Sequence, residues 1–453
     1  VHVYDWPNRA LGGSATLRTG GHVEGMLDIL EWYDVHKFGK ANRKPVVLSE
    51  YGSVNGGYQF NGQDGLYIDW EGVRPFSAML MQFLERPDYI VKSMPFTPVK
   101  ADRWGDIGNK RYPYTMLDEV PVDSENWQWS GFIKFFELWS EVKGTRIETL
   151  SSDPDIQVDA YVDGHTAYLI LNNLEQVAKT VRLNEFGLPT AVNSVRVKHL
   201  YCENYADMTG TSAYPELDEY TLQTAPGSIT IDPEATMILE YHFANNVTPN
   251  QELVETKFYG ESLSGADPFR VTGTSFTGHI NGVTVPSGPA EATLRISGAF
   301  EGSLLTSADS RNQVTINGHP LTWQTDWRGV EGAGKRLYTL EIPVPASYLQ
   351  ANNTVTCSLI QPTDFASIGL QVFAFSQAPG RVATAPNVPV SGLDISQPSL
   401  SLAAQRTGSV KATISPVTAS DKRITWSSNN SSVASVDPKT GLITANAPGT
   451  ATI

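Results

Sequence analysis

The sequence predicts an α/β segment, the C-terminal portion of a (β/α)8 TIM barrel, followed by all-β blocks. Three observations predict it. A short apolar run, Pro45-Val46-Val47-Leu48-Ser49, drives into Glu50-Tyr51-Gly52, as a buried strand ending in a carboxylate does. Strand-like and amphipathic helical segments alternate over roughly the first 145 residues. After Gly144 the pattern changes to short strands separated by turn residues, as in antiparallel sandwiches.

Val1-His2-Val3-Tyr4-Asp5-Trp6 alternates and is rich in β-branched and aromatic residues, so it reads as a strand. His2, Tyr4 and Trp6 share one parity and are expected on one side; Asp5 has the opposite parity and reads as structural. Gly21 to Lys40 reads as a helix, with Val23, Met26, Leu27, Leu30 and Tyr33 at helical spacing. Strand, helix and strand make one βαβ unit, which implies a parallel sheet with a right-handed crossover.

A second helix is predicted over Val73 to Arg86, with Phe76, Met79, Leu80 and Phe83 on one stripe and Pro87 closing it. Tyr89 to Phe96 reads as a third strand. A last helix spans about Ser130 to Lys143, facing Phe132, Phe135, Phe136, Trp139 and Val142 inward, and Gly144 ends it. Residues 1–145 thus hold about three of the eight units a barrel needs. The chain opens and closes inside strand-like runs, and is read as a fragment cut at both ends.

From 146 to 245 a sandwich is expected. Its clearest hairpin joins Val158–Val162 to Ala167–Leu171 through Asp163-Gly164. A linker containing Pro249 follows. A second, jelly-roll-like sandwich is expected over 250–378, with strands at about ten-residue intervals and Asn317-Gly318 after one of them. Trp323 and Trp327 read either as packed aromatics or as a sugar-stacking pair. After a Pro-rich linker, residues 391–453 carry Ile424-Thr425-Trp426-Ser427-Ser428-Asn429, Val433-Ala434-Ser435-Val436-Asp437 and Ala447-Pro448-Gly449-Thr450-Ala451-Thr452-Ile453. These phrases resemble a bacterial immunoglobulin-like domain of the group 2 type. The resemblance implies a spacer or adhesive stalk on a secreted or cell-surface bacterial protein.

The formal net charge of -15 argues against nucleic acid as a partner, because phosphate repels an acidic surface. No run of about 18 apolar residues occurs, so no membrane span is predicted. Cys202 and Cys357 fall in different blocks and read as free buried thiols. Neither has a CxxC partner, which argues against zinc. No cofactor is expected. Calcium on the sandwich loops and the oligomeric state stay open.

Glu50 carries the chemistry. Barrel enzymes keep their catalytic groups at the carboxyl ends of the strands, and a charge there is costly unless paired or used. The alternative is a glutamate that only opens a loop. His2 and Tyr4 on the neighbouring strand are candidate hydrogen-bond donors to it, or barrel-filling side chains. Tyr51 and Asn55, close after it, join the candidate substrate contacts.

Sugars offer flat C–H faces for aromatic rings, and hydroxyls that need directed partners. The long loops after the strands supply both, with Trp70 in the first and Arg103 and Trp104 in the second. Trp6, Trp70 and Trp104 are the expected stacking platform; Trp127 and Trp129 read as anchors of the last helix. Between Lys92 and Arg111 five basic residues face two acids. That cluster suits either a sulfate ester or a solvated loop.

The phrases Val1-His2-Val3-Tyr4-Asp5-Trp6-Pro7-Asn8, Val47-Leu48-Ser49-Glu50-Tyr51-Gly52 and Lys92-Ser93-Met94-Pro95-Phe96 resemble the sixth, seventh and eighth strands of glycoside hydrolase family 86. That family comprises β-agarases and β-porphyranases of clan A, with sandwiches after the barrel. The resemblance implies that Glu50 is the nucleophile of a retaining endo-hydrolase acting on agarose or porphyran. It also implies that the acid/base Glu follows a fourth strand absent from this chain, so that this stretch alone is expected to be inactive. Two other readings stay open: another clan A polysaccharide hydrolase, and a non-catalytic glycan-binding surface protein.

Overall fold

The computed structural model describes residues 1–5, 20–53, 67–101, 114–119, 124–185, 187, 191–205, 213–264, 271–300, 312–323, 336–380, 390–395, 397–410, 412–415, 426–436 and 442–453. It divides into two units, Val1–Arg381 and Val382–Ile453.

The first unit begins with β1 (His2–Asp5), α1 (Gly21–Phe38), β2 (Val46–Ser53), α2 (Tyr67–Leu84) and β3 (Ile90–Pro95). The strands form a parallel sheet in the order β1-β2-β3. The helical stripes supply much of the core, except that Tyr33 of the predicted α1 stripe is exposed. Helix α1 buries Val23, Leu27 and Trp32; α2 buries Val73, Phe76, Met79 and Phe83. Each such side chain contributes about 1.5–3 kcal/mol of apolar burial.

Helix α2 starts six residues earlier than predicted, at Tyr67 rather than Val73. Pro75 lies in the helix interior, although proline is best tolerated in a first turn. After β3 come a short antiparallel pair, β4 (Leu117–Glu119) and β5 (Trp127–Trp129), and the seven-residue α3 (Ile133–Trp139). Phe132, just before α3, packs so tightly on Gly72 of α2 that a Cβ there would lie 2.3 Å from its ring.

The next strands are β6 (Thr145–Ile147), β7 (Ile156–Asp163), β8 (Thr166–Asn173), β9 (Lys179–Arg182), β10 (Val192–Glu203), β11 (Tyr214–Leu222), β12 (Ser228–Ile231) and β13 (Thr236–Phe243). Six form one sheet, β11-β10-β13-β8-β7-β6, and β12 pairs with β9. The predicted hairpin is β7–β8, in register from Ile156↔Asn173 to Asp163↔Thr166, with Gly164 at positive φ. Tyr161, Tyr168 and Ile170 of this sheet share one apolar core with α2 and Phe132. Arg74 of α2 pairs with Glu71 and reaches Glu234, whose other oxygen accepts from Tyr205 at 2.7 Å. The parallel layer and the first sandwich are therefore joined by buried charge as well as by apolar packing.

A second β block follows: β14 (Leu253–Tyr259), β15 (Val271–Asn281), β16 (Ala290–Phe300), β17 (Gln313–Ile316), β18 (His319–Leu321), β19 (Arg336–Val344) and β20 (Asn352–Phe375). The 24-residue β20 is its spine and pairs with β14, β15, β16 and β17. Asn317 and Gly318, both at positive φ, make the tight turn between β17 and β18. Trp323 is buried in this core; Trp327 lies outside the described residues.

Helix α1 is tied to this block through Asp28. Arg86 and Arg295 donate to its two oxygens at 2.7 and 2.8 Å, and Thr339 Oγ1 donates at 2.9 Å. Burial alone would push this carboxyl up, but the two guanidiniums outweigh it and hold it well below the usual range. Trp32 Nε1 adds a bond to the Gly260 carbonyl at 2.8 Å.

The second unit holds β21 (Gly392–Ile395), β22 (Thr407–Ser409), β23 (Ala412–Ser415), β24 (Ala434–Val436) and β25 (Leu442–Ala445), paired as β21-β23 and β22-β25-β24. Its buried apolar residues include Val410, Ile443 and Ala445. Cys202 and Cys357 are free and buried, and burial pushes the Cys357 thiol up to about 12. No described helix is long and apolar enough to cross a membrane.

Candidate active site

The site is built by β1 and β2. Parallel pairing sets His2 opposite Glu50, Val3 opposite Tyr51 and Tyr4 opposite Gly52. Val3 and Tyr51 are both buried, on the side covered by helices, so Glu50 and its neighbours face the other way.

A bulge in β2 makes this orientation. Leu48 pairs with Ser93 and Tyr51 with Pro95, three steps on one strand against two on the other. Leu48 and Tyr51 are both fully buried although three residues apart. An unbroken strand would put them on opposite faces. The extra residue lets both reach the core and turns Glu50 outward in the C-terminal half of the strand.

Glu50 Oε2 accepts a hydrogen bond from Tyr4 Oη at 2.6 Å and lies 3.0 Å from His2 Nδ1. Its side chain is 32% exposed, half-sunk beside the more open His2. Both partners take the same oxygen, so Oε1 has no hydrogen-bond partner among the described residues. Tyr4 is braced in turn by an edge contact with Phe96, centroids 6.2 Å apart. Gly52 lets Phe76 close beneath the site: a Cβ there would come within 3.1 Å of its ring. Such a carboxylate can act as a charge-stabilised base or nucleophile with one free oxygen.

Two predicted contacts are corrected. Tyr51 is 1% exposed and edge-packed on Phe76 and Phe83. Its strand parity points it at α2, away from any substrate, and burial raises its phenol far above the ordinary range. Trp70 is also 1% exposed. Because α2 begins at Tyr67, Trp70 lies in a helix facing the core instead of in a loop, and it cannot offer a face to a sugar. Trp6, Asn55, Arg103 and Trp104 lie outside the described residues.

The reading of Trp127 and Trp129 as helix anchors is corrected as well. Trp129 is 60% exposed, and Trp127 carries the Lys100 ammonium 3.7 Å above its ring. The alternating Trp-Gln-Trp phrase was the available signal for a strand. Among the described residues, no group of three or more His, Cys, Asp or Glu is placed to hold a metal ion.

Family models match in tandem: porphyranase β-sandwich domain 1 over residues 155–264, the β-porphyranase A C-terminal region over 277–373, and the group 2 bacterial Ig-like domain over 389–453. Beta-agarase AgaO of Microbulbifer thermotolerans is 40% identical over 401 residues, covering 84% of this chain and 33% of that protein. Funoran endo-beta-hydrolase of Wenyingzhuangia aestuarii is 35% identical over 385 residues, covering 83% and 49%. The solved structure of a β-porphyranase of glycoside hydrolase family 86 from the gut bacterium Bacteroides plebeius superposes with a TM-score of 0.65 at 26% identity, over 83% of this chain and 63% of that one. The chain therefore spans about a third to a half of the length of these curated relatives. Over the stretch it spans, the chain is similar in sequence to these galactan hydrolases and in fold to a solved structure of glycoside hydrolase family 86.

Proposed function

We propose that this chain forms part of a secreted, retaining endo-hydrolase of red-algal galactans, with Glu50 as nucleophile. The observation that carries the proposal is the Glu50 carboxylate in the C-terminal half of β2, one oxygen held by Tyr4 and His2 and the other open. In this reading β1, β2 and β3 are the closing arc of a (β/α)8 barrel over residues 1–145, braced by sandwiches over 146–245 and 250–378. The immunoglobulin-like block, 391–453, is a spacer.

A retaining glycosidase uses two carboxyl groups about 5 Å apart. The open Oε1 of Glu50 attacks the anomeric carbon and forms a glycosyl ester, while an acid/base carboxyl protonates the departing sugar oxygen. Water, deprotonated by that second carboxylate, then releases the sugar and restores Glu50. Tyr4 and His2 keep the attacking group oriented. The acid/base carboxyl is assigned to another strand of the barrel, outside this chain. The mechanism needs no cofactor.

The relatives carry the names of three galactans, which supports a galactan substrate and leaves the choice between agarose and porphyran to experiment. The test is a full-length Glu50→Ala variant assayed on agarose, porphyran, xylan and β-glucan. We expect wild-type cleavage of a galactan, retained anomeric configuration by NMR, and loss of turnover in the variant. Unchanged hydrolysis by the variant would remove Glu50 from the mechanism.

A further inference from the structure

The chain leaving β3 builds a three-stranded ribbon. Met116 N donates to the Pro98 carbonyl at 2.9 Å and Leu117 N to the Val99 carbonyl at 3.0 Å, so residues 98–100 run beside β4, which pairs with β5. Lys100 is bridged to Leu117, and Leu117 lies opposite Trp129. Glu119 lies opposite Trp127, two residues along. Side chains two apart on a strand share a face, so Lys100, Trp127 and Trp129 stand together on one surface of the ribbon.

That surface is poorly covered. Trp129 is 60% exposed, and Lys100 is exposed with its ammonium over the Trp127 ring. An indole this open forgoes the burial that such a large apolar group ordinarily gains. The ribbon is also continuous with the candidate site. Phe96, which braces Tyr4 beside Glu50, bonds to the Tyr51 carbonyl at 2.8 Å, and Lys100 follows only four residues later. Four residues reach at most roughly 14 Å, so the two lie within a few sugar units of each other.

We propose that Trp129, with Trp127 and Lys100, is an accessory subsite that holds the galactan chain away from the bond being cut. The exposed indole of Trp129 takes the C–H face of one galactose ring. Lys100, fixed over Trp127 by cation–π attraction, presents its N–H donors to oxygens on the same chain. The continuity of the ribbon with the Glu50 site through Phe96 favours a polysaccharide over a protein partner. The inference rests on the galactan-hydrolase reading of Glu50.

The test uses the full-length protein with Glu50→Gln, which allows binding without turnover, in affinity electrophoresis through agarose and porphyran. Adding Trp129→Ala is expected to weaken retention on the bound galactan roughly tenfold, the loss of one aromatic stacking contact. Trp129→Phe should restore most of it, and the melting temperature should stay unchanged because the side chain is exposed. Equal retention of the Glu50→Gln protein with and without Trp129→Ala would overturn the subsite and leave the reading of Glu50 standing. No retention of the Glu50→Gln protein on either gel would overturn both.

Discussion

Tyr4 lies opposite Gly52 in the parallel β1–β2 register, yet its phenol reaches back to donate a 2.6 Å hydrogen bond to Glu50. The reach requires the ring to lean along the strand, where Phe96 supports its edge. A hydrogen bond to a charged group contributes about 1.5–3 kcal/mol. Tyr4→Phe should therefore lower kcat/KM by about 10- to 100-fold with folding intact, measured by initial rates and thermal melting. Wild-type rates would show that the phenol only fills space.

Trp70 gives a contrasting prediction. It sits in the shared core of α2 and the first sandwich, so Trp70→Ala should cost about 3–5 kcal/mol of stability. Urea unfolding reads this directly. A variant of normal stability with weakened galactan binding would return Trp70 to the substrate platform.

Asp28 makes the joint between α1 and the second sandwich sensitive to acid. Its folded carboxyl titrates below its ordinary value near 4, because Arg295 and Arg86 favour the ionised form over the cost of burial. The stabilisation it supplies is full above that ordinary value and is lost as pH falls toward the depressed folded value. Asp28→Asn should cost about 3–5 kcal/mol at neutral pH, leaving two buried guanidiniums short of a counter-charge. It should also flatten the stability profile below pH 4. Denaturation midpoints from pH 2 to 7 check both; an unchanged slope in acid would remove Asp28 from the joint.

Much of this architecture was legible because local patterns and tertiary burial agree. The stripe Phe76, Met79, Phe83 and the turns at Gly164 and Asn317-Gly318 are short-range signals, and each holds in the structure. The β2 strand was legible for the same reason: its β-branched opening, Val46-Val47, leads into the predicted strand. What failed depended on parity and on helix starts. The bulge between Leu48 and Tyr51 has no local sequence signal, so Tyr51 read as a neighbour of the site instead of as core. Helix α2 begins six residues before the expected Val73, which turned Trp70 from an expected loop residue into a buried one. Trp129 read as an anchor because tryptophan is usually covered, and only the pairing of β4 with β5 shows its open face.

The most direct measurement is covalent trapping. A 2-deoxy-2-fluoro galactoside with an activated leaving group should stall the full-length enzyme as its glycosyl ester, and peptide mass spectrometry should find the label on Glu50. Label on another carboxylate, or rapid turnover with inverted product and no label, would contradict the account.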